Sequence, residues 1–567
     1  MLPVGKFRFA LLSTTVLLGA APARAQAPDS DTLRRMNAIE AQIKALQGEL
    51  GSMRRDLAAR DSQLRAAQRE AAQARADAQH AQAYAAPRTQ PQAQTPASPV
   101  ANLGVASGAP SGQQSASQQN ASTTPGQPPM GTFQVGGVTV TLGGFIEGAG
   151  IYRNRNEVAD IASNFNTGIP LPNSVLAHEN EVRGSARQSR ISLLFTGDPA
   201  PDQKLTAYFE TDFQGGSPTA NSVESNSYTL RLRQAFASYD NSSLGLHVLG
   251  GQAWSLLTPT KVGITPRSED LPPSIDAQYM VGFNWTRQPQ FRVTGDFLNH
   301  TLWAALSLES PQAVFYTGPN GTGSLAGTVD SANAGGSGFA STTTYSADIA
   351  PDIIAKLAWD PGFGHYEATG LLRFLRTRVS VLGDGNNQVA IAGGGGGSMV
   401  LPLIPHALEF HANALAGYGI GRYGSAQLPD ATISASGAPV PLPEVQALAG
   451  LIGHPDPSID LYAYVGTEQV RRRSFVESGK GYGYGSPLYV NTGCYVELST
   501  ASCQANTSGI VEGTLGGWWR FLHGNYGTAE VGAQYEYLRR SIFPGVGGSK
   551  GTDDNVVMLS FRYLPFQ

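Results

Sequence analysis

Arginine and leucine alternate at Leu230, Arg231, Leu232 and Arg233. In an extended strand this spacing puts both guanidinium groups on one face, about 6.5–7 Å apart. Arg190 stands in the same relation to Ile191 and Leu193, Arg292 to Phe291 and Val293, and Arg373 to Leu372 and Phe374. A guanidinium stays charged at any biological pH and binds a carboxylate or phosphate through two parallel hydrogen bonds. On the wall of a narrow aqueous passage such a ladder favours anions, and Arg231 with Arg233 could hold both ends of a small dicarboxylate. Acids on the same polar face compete: Glu147, Glu210, Asp212, Asp296, Glu367 and Glu409. If they pair with the arginines across the wall, they brace it and leave no net field, so an anion-preferring and a balanced lumen both stay open.

Other chemistry finds little support. The chain has no His-Glu-x-x-His, no Gly-x-Ser-x-Gly and no cysteine–histidine metal spacing. Gly479-Lys480 lacks the following Ser or Thr of a phosphate loop, and His365, His411 and His523 are scattered. The expectation is no enzyme, no cofactor and no metal. A net charge of −4 argues against nucleic acid as a partner.

The elements that must position these arginines are strands. Sixteen are predicted, near 138–152, 189–197, 204–213, 229–239, 244–253, 283–297, 300–309 and 351–360, then 364–379, 388–402, 405–423, 443–453, 458–474, 508–522, 526–541 and 553–566. Many alternate with period two. Val138, Val140, Leu142 and Ile146 alternate with Thr139, Thr141, Gly143 and Glu147; Val557, Leu559, Phe561 and Tyr563 alternate with Met558, Ser560 and Arg562. The connections alternate between short breaks, such as Leu298-Asn299 and His523–Asn525, and long ones, such as Arg153–Gln188, Ser310–Ala350 and Phe475–Thr507. An antiparallel sheet closed into a transmembrane β-barrel, with turns at one rim and loops at the other, gives that asymmetry. Only 14% of residues are charged, as expected if half of each spanning strand faces lipid. Strand-end aromatics (Tyr152, Trp254, Trp359, Tyr423, Trp518, Trp519, Tyr563 and Phe566) suit interfacial girdles. The strand 388–402 contains Gly393–Gly397, and 443–453 is short, so fourteen or eighteen strands remain alternatives.

Upstream, Lys6 and Arg8 precede an apolar run from Phe9 to Ala21, and Ala23-Arg24-Ala25 suits signal-peptide cleavage, assigning 1–25 to export. Met36, Ile43, Leu50, Leu57, Leu64, Ala71 and Ala78 keep a seven-residue spacing, with Ile39, Leu46 and Met53 three residues on. That heptad predicts an oligomeric α-helical coiled coil over 29–80 in the periplasm. Arg34, Arg35, Arg54 and Arg55 on it could touch the cell wall. The Gln-, Pro- and Ser-rich stretch 81–131 predicts a disordered linker, leaving 132–567 as the barrel. Export also permits a disulfide between Cys494 and Cys503. The proline-rich connection Ser255–Gly282 carries Lys261 and Arg267 and would either narrow the pore or latch onto a neighbouring subunit.

The chain resembles the DcaP-like family of trimeric outer-membrane porins. The resemblance rests on Gly143-Gly144-Phe145-Ile146-Glu147-Gly148, Ser189-Arg190-Ile191-Ser192-Leu193, Tyr228–Tyr239 with its Leu-Arg-Leu-Arg core, and Leu249-Gly250-Gly251-Gln252-Ala253-Trp254-Ser255. It covers most of the mature chain and implies a homotrimer of sixteen-stranded barrels taking up small anions, with dicarboxylates as the type substrates. It also implies lumen positions for Arg190, Arg231 and Arg233. The ending Leu564-Pro565-Phe566-Gln567 departs from the pattern, since such barrels usually finish on the aromatic. The expected function is passive diffusion of small anionic solutes across the outer membrane. The alternative is a plugged structural or enzymatic barrel, tethered to the cell wall through its coiled coil.

Overall fold

The computed structural model describes residues 131–215, 229–323, 325–334 and 344–567. The predicted signal, coiled coil and most of the linker lie outside the described residues.

Sixteen antiparallel strands close into a barrel. They are β1 (Val138–Arg153), β2 (Arg190–Ala200), β3 (Gln203–Asp212), β4 (Arg231–Asn241), β5 (Leu246–Trp254), β6 (Arg287–Phe297), β7 (Leu302–Glu309) and β8 (Asp352–Trp359). The second half comprises β9 (His365–Val381), β10 (Asp384–Ile404), β11 (Leu408–Tyr418), β12 (Pro443–Asp456), β13 (Ile459–Val470), β14 (Thr507–Gly524), β15 (Gly527–Ile542) and β16 (Thr552–Leu564). Each pairs with its sequence neighbour, and β1 closes on β16 with Ile146 opposite Tyr563 and Arg153 opposite Val556. Closure leaves no exposed edge, so every strand has hydrogen-bonded neighbours on both sides. Three short strands, Thr132–Val135, Glu181–Ser185 and Thr328–Asp330, extend the same sheet.

Period-two patterning sorts the side chains. On β13, Leu461 and Val465 face out and are more than half exposed, while Asp460, Tyr462, Tyr464 and Glu468 are buried inside. The outward apolar face is what a lipid environment requires. Both uncertain strands form. Gly393–Gly397 sits wholly within β10, where a Cβ at Gly394 or Gly396 would fall 2.3 or 2.2 Å from a carbonyl oxygen of β11. The glycines let these backbones approach closely.

The aromatic girdle is only partly as expected. Tyr152, Trp359 and Trp519 point outward. Trp359 clusters with Phe363 and Tyr366, and Trp519 with Phe521. Trp254, Tyr423 and Trp518, however, are buried inside the barrel. Trp254 and Trp518 occupy inward positions of their strands. The strand predicted to reach 423 ends at Tyr418, so Tyr423 belongs to an inward-folded loop. Loop chemistry, not lipid, holds these three.

Candidate functional site

The loop Ser255–Thr286, between β5 and β6, runs through the barrel interior. Leu256, Ile264, Ile275, Val281 and Phe283 are all nearly inaccessible. A loop without regular structure must find partners for its backbone amides, and the wall supplies them as carboxylates. Leu256 N donates to Glu309 (2.8 Å), Thr260 N to Glu367 (3.1 Å), Val281 N to Glu512 (2.7 Å) and Gly282 N to Glu468 (2.9 Å). Ile275 N donates to the Gln534 side-chain oxygen at 2.6 Å, and the Trp518 indole donates to Pro273 O at 2.8 Å. Contact is close enough that a Cβ on Gly466 of β13 would lie 1.8 Å from Val281 O.

A second loop, between β11 and β12, is held in the same way. Ile420 N donates to Glu444 (2.7 Å) and Ala426 N to Glu468 (3.0 Å). Glu444, Glu468, Glu512, Glu536 and Asp554 thus form a diagonal row of inward carboxylates, one per strand from β12 to β16. Register places each two residues off its neighbour: Glu468 opposes Ile510, Glu512 opposes Leu538, and Glu536 opposes Val556. Diagonal neighbours of this kind lie roughly 7–8 Å apart.

The five predicted arginines all point inward, and their environments differ. Arg231 donates to Asp212 (2.6 Å), and Arg233 donates to both Glu210 (2.6 Å) and Asp212 (2.9 Å). Arg373 bridges Asp352 (3.1 Å) and Asp430 (2.7 Å). Arg292 donates to Trp254 O at 2.6 Å. Arg190 is looser: a Glu210 carboxylate oxygen is 4.0 Å away, its guanidinium lies 5.2 Å from the Phe145 ring, and its buried Nε has no hydrogen-bond partner. Within the inner loop, Lys261 N donates to Ser268 O at 2.8 Å, and Arg267 (φ +70°) lies over Tyr208 at 5.1 Å. Cys494 and Cys503 are disulfide-bonded in the loop between β13 and β14.

Sequence reasoning passed over two further arginines. Arg287 stacks on Trp254 at 4.4 Å with its buried Nη1 unpartnered, and Arg562 lies 4.1 Å from the Trp518 ring while reaching Glu147 at 3.1 Å. Arg562 was legible from its alternation with Phe561 and Tyr563; Arg287 falls where the loop becomes a strand and carries no pattern.

Arg233 Nη2 reaches the Tyr279 hydroxyl at 3.4 Å. Burial pushes that phenol up, but Arg233, Arg190 and Arg287 outweigh it and hold it below the usual value. Beside it, a narrow cleft of about 30 Å³ lies between loop and wall, with Phe145, Arg190, Asp276, Tyr279, Trp518 and Arg562 among its lining. Its lining sets Arg190, Arg520 and Arg562 among Asp276, Asp460 and Glu530, with the rings of Phe145, Tyr279 and Trp518 between them.

No protein-family model and no curated protein sequence matches the chain. Among solved structures, the chain is similar to the outer membrane channel DcaP of Acinetobacter baumannii. That likeness has 18% identity and a TM-score of 0.53, covering 77% of this chain and 99% of that one. It shows the fold: a porin-type channel barrel. An anion-selective porin from Comamonas acidovorans also matches, at 10% identity and a TM-score of 0.41, over 75% of this chain and 99% of that one.

Proposed function

We propose that the protein is an outer-membrane porin, a passive channel that favours small anionic solutes, with dicarboxylates as the class that the family resemblance implies. The carrying observation is the convergence of Arg190, Arg233 and Arg287 on Tyr279 beside the cleft. The wall acids weigh against a purely cationic lumen, but many are engaged by loop amides or by arginines. The loosely held guanidinium groups of Arg190 and Arg287 then set the field that a solute meets, with Lys261 and Arg267 on the loop. Fixed charge in a narrow, low-dielectric passage raises the local concentration of the opposite ion. A homotrimer in outer-membrane lipid fits this reading, with the barrels holding the assembly and the heptads adding to it.

Purified protein in a planar bilayer under a salt gradient tests the proposal. Stepwise currents with an anion-signed reversal potential are expected. Steady cation selectivity would overturn the charge reading, and the absence of conductance would overturn the pore. The depth to which loop residues fill the barrel favours one competing reading, a plugged structural barrel. Liposome swelling separates the two, because a plugged barrel admits neither sugar nor amino acid. Deleting 29–130 should leave a heat-modifiable trimer; a monomer would show that the helices hold the assembly.

A further inference from the structure

The outer surface between β9 and β14 carries unusually small side chains for a lipid-facing wall. Hydrogen-bonded register aligns them in outward rows. One row runs Ala368, Gly397, Ala414, Ala447, Thr467 and Val511, and the next toward the short turns runs Tyr366, Met399, Ala412, Ala449, Val465 and Gly513. The alanines and glycines of these rows barely project and leave a mainly apolar groove of about 800 Å³ on the outside of the barrel, edged by Tyr366, Met399, Val465 and Val511.

The head of this groove is basic. Toward the long loops, the outward face of β13 runs from Val465 and Thr467 to Gln469; the exposed Arg471 follows just past the strand, and the exposed Arg473 opens a separate hairpin with Lys480–Tyr484. Arg471 N bonds Pro443 O at 2.8 Å, which keeps it in register with the row containing Tyr418. The Arg473 guanidinium lies over the outward Tyr418 ring at 5.9 Å. Tyr418 is four residues up β11 from Ala414, about 13 Å. On the other flank, β9 makes the same change, its outward face passing from Leu372 and Phe374 to Arg376 and Arg378. Strand β9 and the chain just past β13 thus both carry cationic side chains toward the long loops.

We propose that this groove binds a phosphorylated, multi-acyl lipid of the outer leaflet, its acyl chains lying along the small-residue rows and its phosphates against Arg471 and Arg473, flanked by Arg376 and Arg378. The occupant follows from charge complementarity: arginine forks match phosphate, and they stand where a headgroup would sit above acyl chains. The proposal concerns the outer wall and is independent of what the lumen conducts.

The test is lipopolysaccharide retained by the full-length protein after detergent exchange, quantified by native mass spectrometry and phosphate analysis. Arg471→Gln/Arg473→Gln should lower retention roughly tenfold or more. Ala414→Leu/Ala447→Leu, which fills the groove, should lower it with the arginines intact and the oligomer unchanged. Dephosphorylated lipopolysaccharide should fail to rebind. Unchanged retention in either variant, or equal rebinding of the dephosphorylated lipid, overturns the proposal. So does dissociation of the oligomer by the leucine pair with lipid retained, because a second copy of the chain would then cover the groove.

Discussion

From β2 to β4 the inner wall sets arginine against carboxylate: Arg190, Arg231 and Arg233 face Glu210 and Asp212. From β12 to β16 it carries a row of carboxylates, with inward arginine confined to Arg520, Arg540 and Arg562. The first region neutralises charge within the wall. The second offers acceptors to backbone amides of loops that dive inward, and at Glu468 and Glu512 these are consecutive amides of one loop. Like residues on one barrel face therefore do different jobs. The partner decides whether a buried carboxylate braces, anchors or selects.

Breaking the bracing side should have the largest effect. Arg233→Gln leaves Glu210 without its 2.6 Å partner and removes one of the two arginines on Asp212. Orphaning a buried charge of this kind costs about 3–5 kcal/mol, so heat-modifiability should shift to markedly lower temperature. An unchanged melting profile would mean that water already solvates the pair.

The anchoring side should respond next. Glu468→Leu with Glu512→Leu strips acceptors from Val281, Gly282 and Ala426. Each stranded amide costs about 1–3 kcal/mol. Single-channel conductance should rise several-fold as the loop loosens, and a constant conductance would show that the acids do not hold it.

A smaller, sharper contrast comes from Arg190→Gln with Arg287→Gln. These groups lack tight carboxylate partners, so stability should change little while the reversal potential moves toward zero. Arg231→Gln should do the opposite: a partly exposed ion pair is lost for about 1 kcal/mol or less, with selectivity nearly intact. Equal selectivity shifts in the two variants would erase the distinction.

The most subtle effect concerns pH. Burial raises the Asp276 carboxyl from 3.8 to about 6. Because its folded pKa lies above the unfolded one, the folded state holds the proton more tightly, and stability declines as pH rises between those two values. Lowering pH through 6 discharges a carboxylate lining the cleft, so anion preference should increase there. Asp276→Asn should abolish that step in the selectivity profile.

Most of the fold was legible because period two is local: all sixteen strands form, with ends shifted by up to a few residues. The inward orientation of Arg190, Arg231, Arg233, Arg292 and Arg373 followed from the same rule. Their pairing did not, since Asp430 reaches Arg373 from a loop 57 residues away. The carboxylate row had a signal in the alternation of Glu512 with Val511 and of Glu536 with Tyr535 and Tyr537. Its role did not, because only the path of Ser255–Thr286 decides which acid meets an amide. Trp254 and Trp518 misled for the same reason: a strand-end aromatic reads alike whether it faces lipid or a loop.

The glycine stretch of β10 bears also on how the barrel is built. Five consecutive residues without side chains carry no pattern telling one pairing offset from the next, so slippage by two would cost that segment little. Alignment must come from outside it. The two-residue connection Leu382-Gly383, with Gly383 at φ +79°, joins β9 to β10 and leads into seventeen uninterrupted partners from Val381–Asp384 to His365–Val400. This hairpin is the nearest element that fixes an offset, so it should set the register during assembly. Lengthening its turn by two residues should yield misregistered barrels even though no wall side chain has changed.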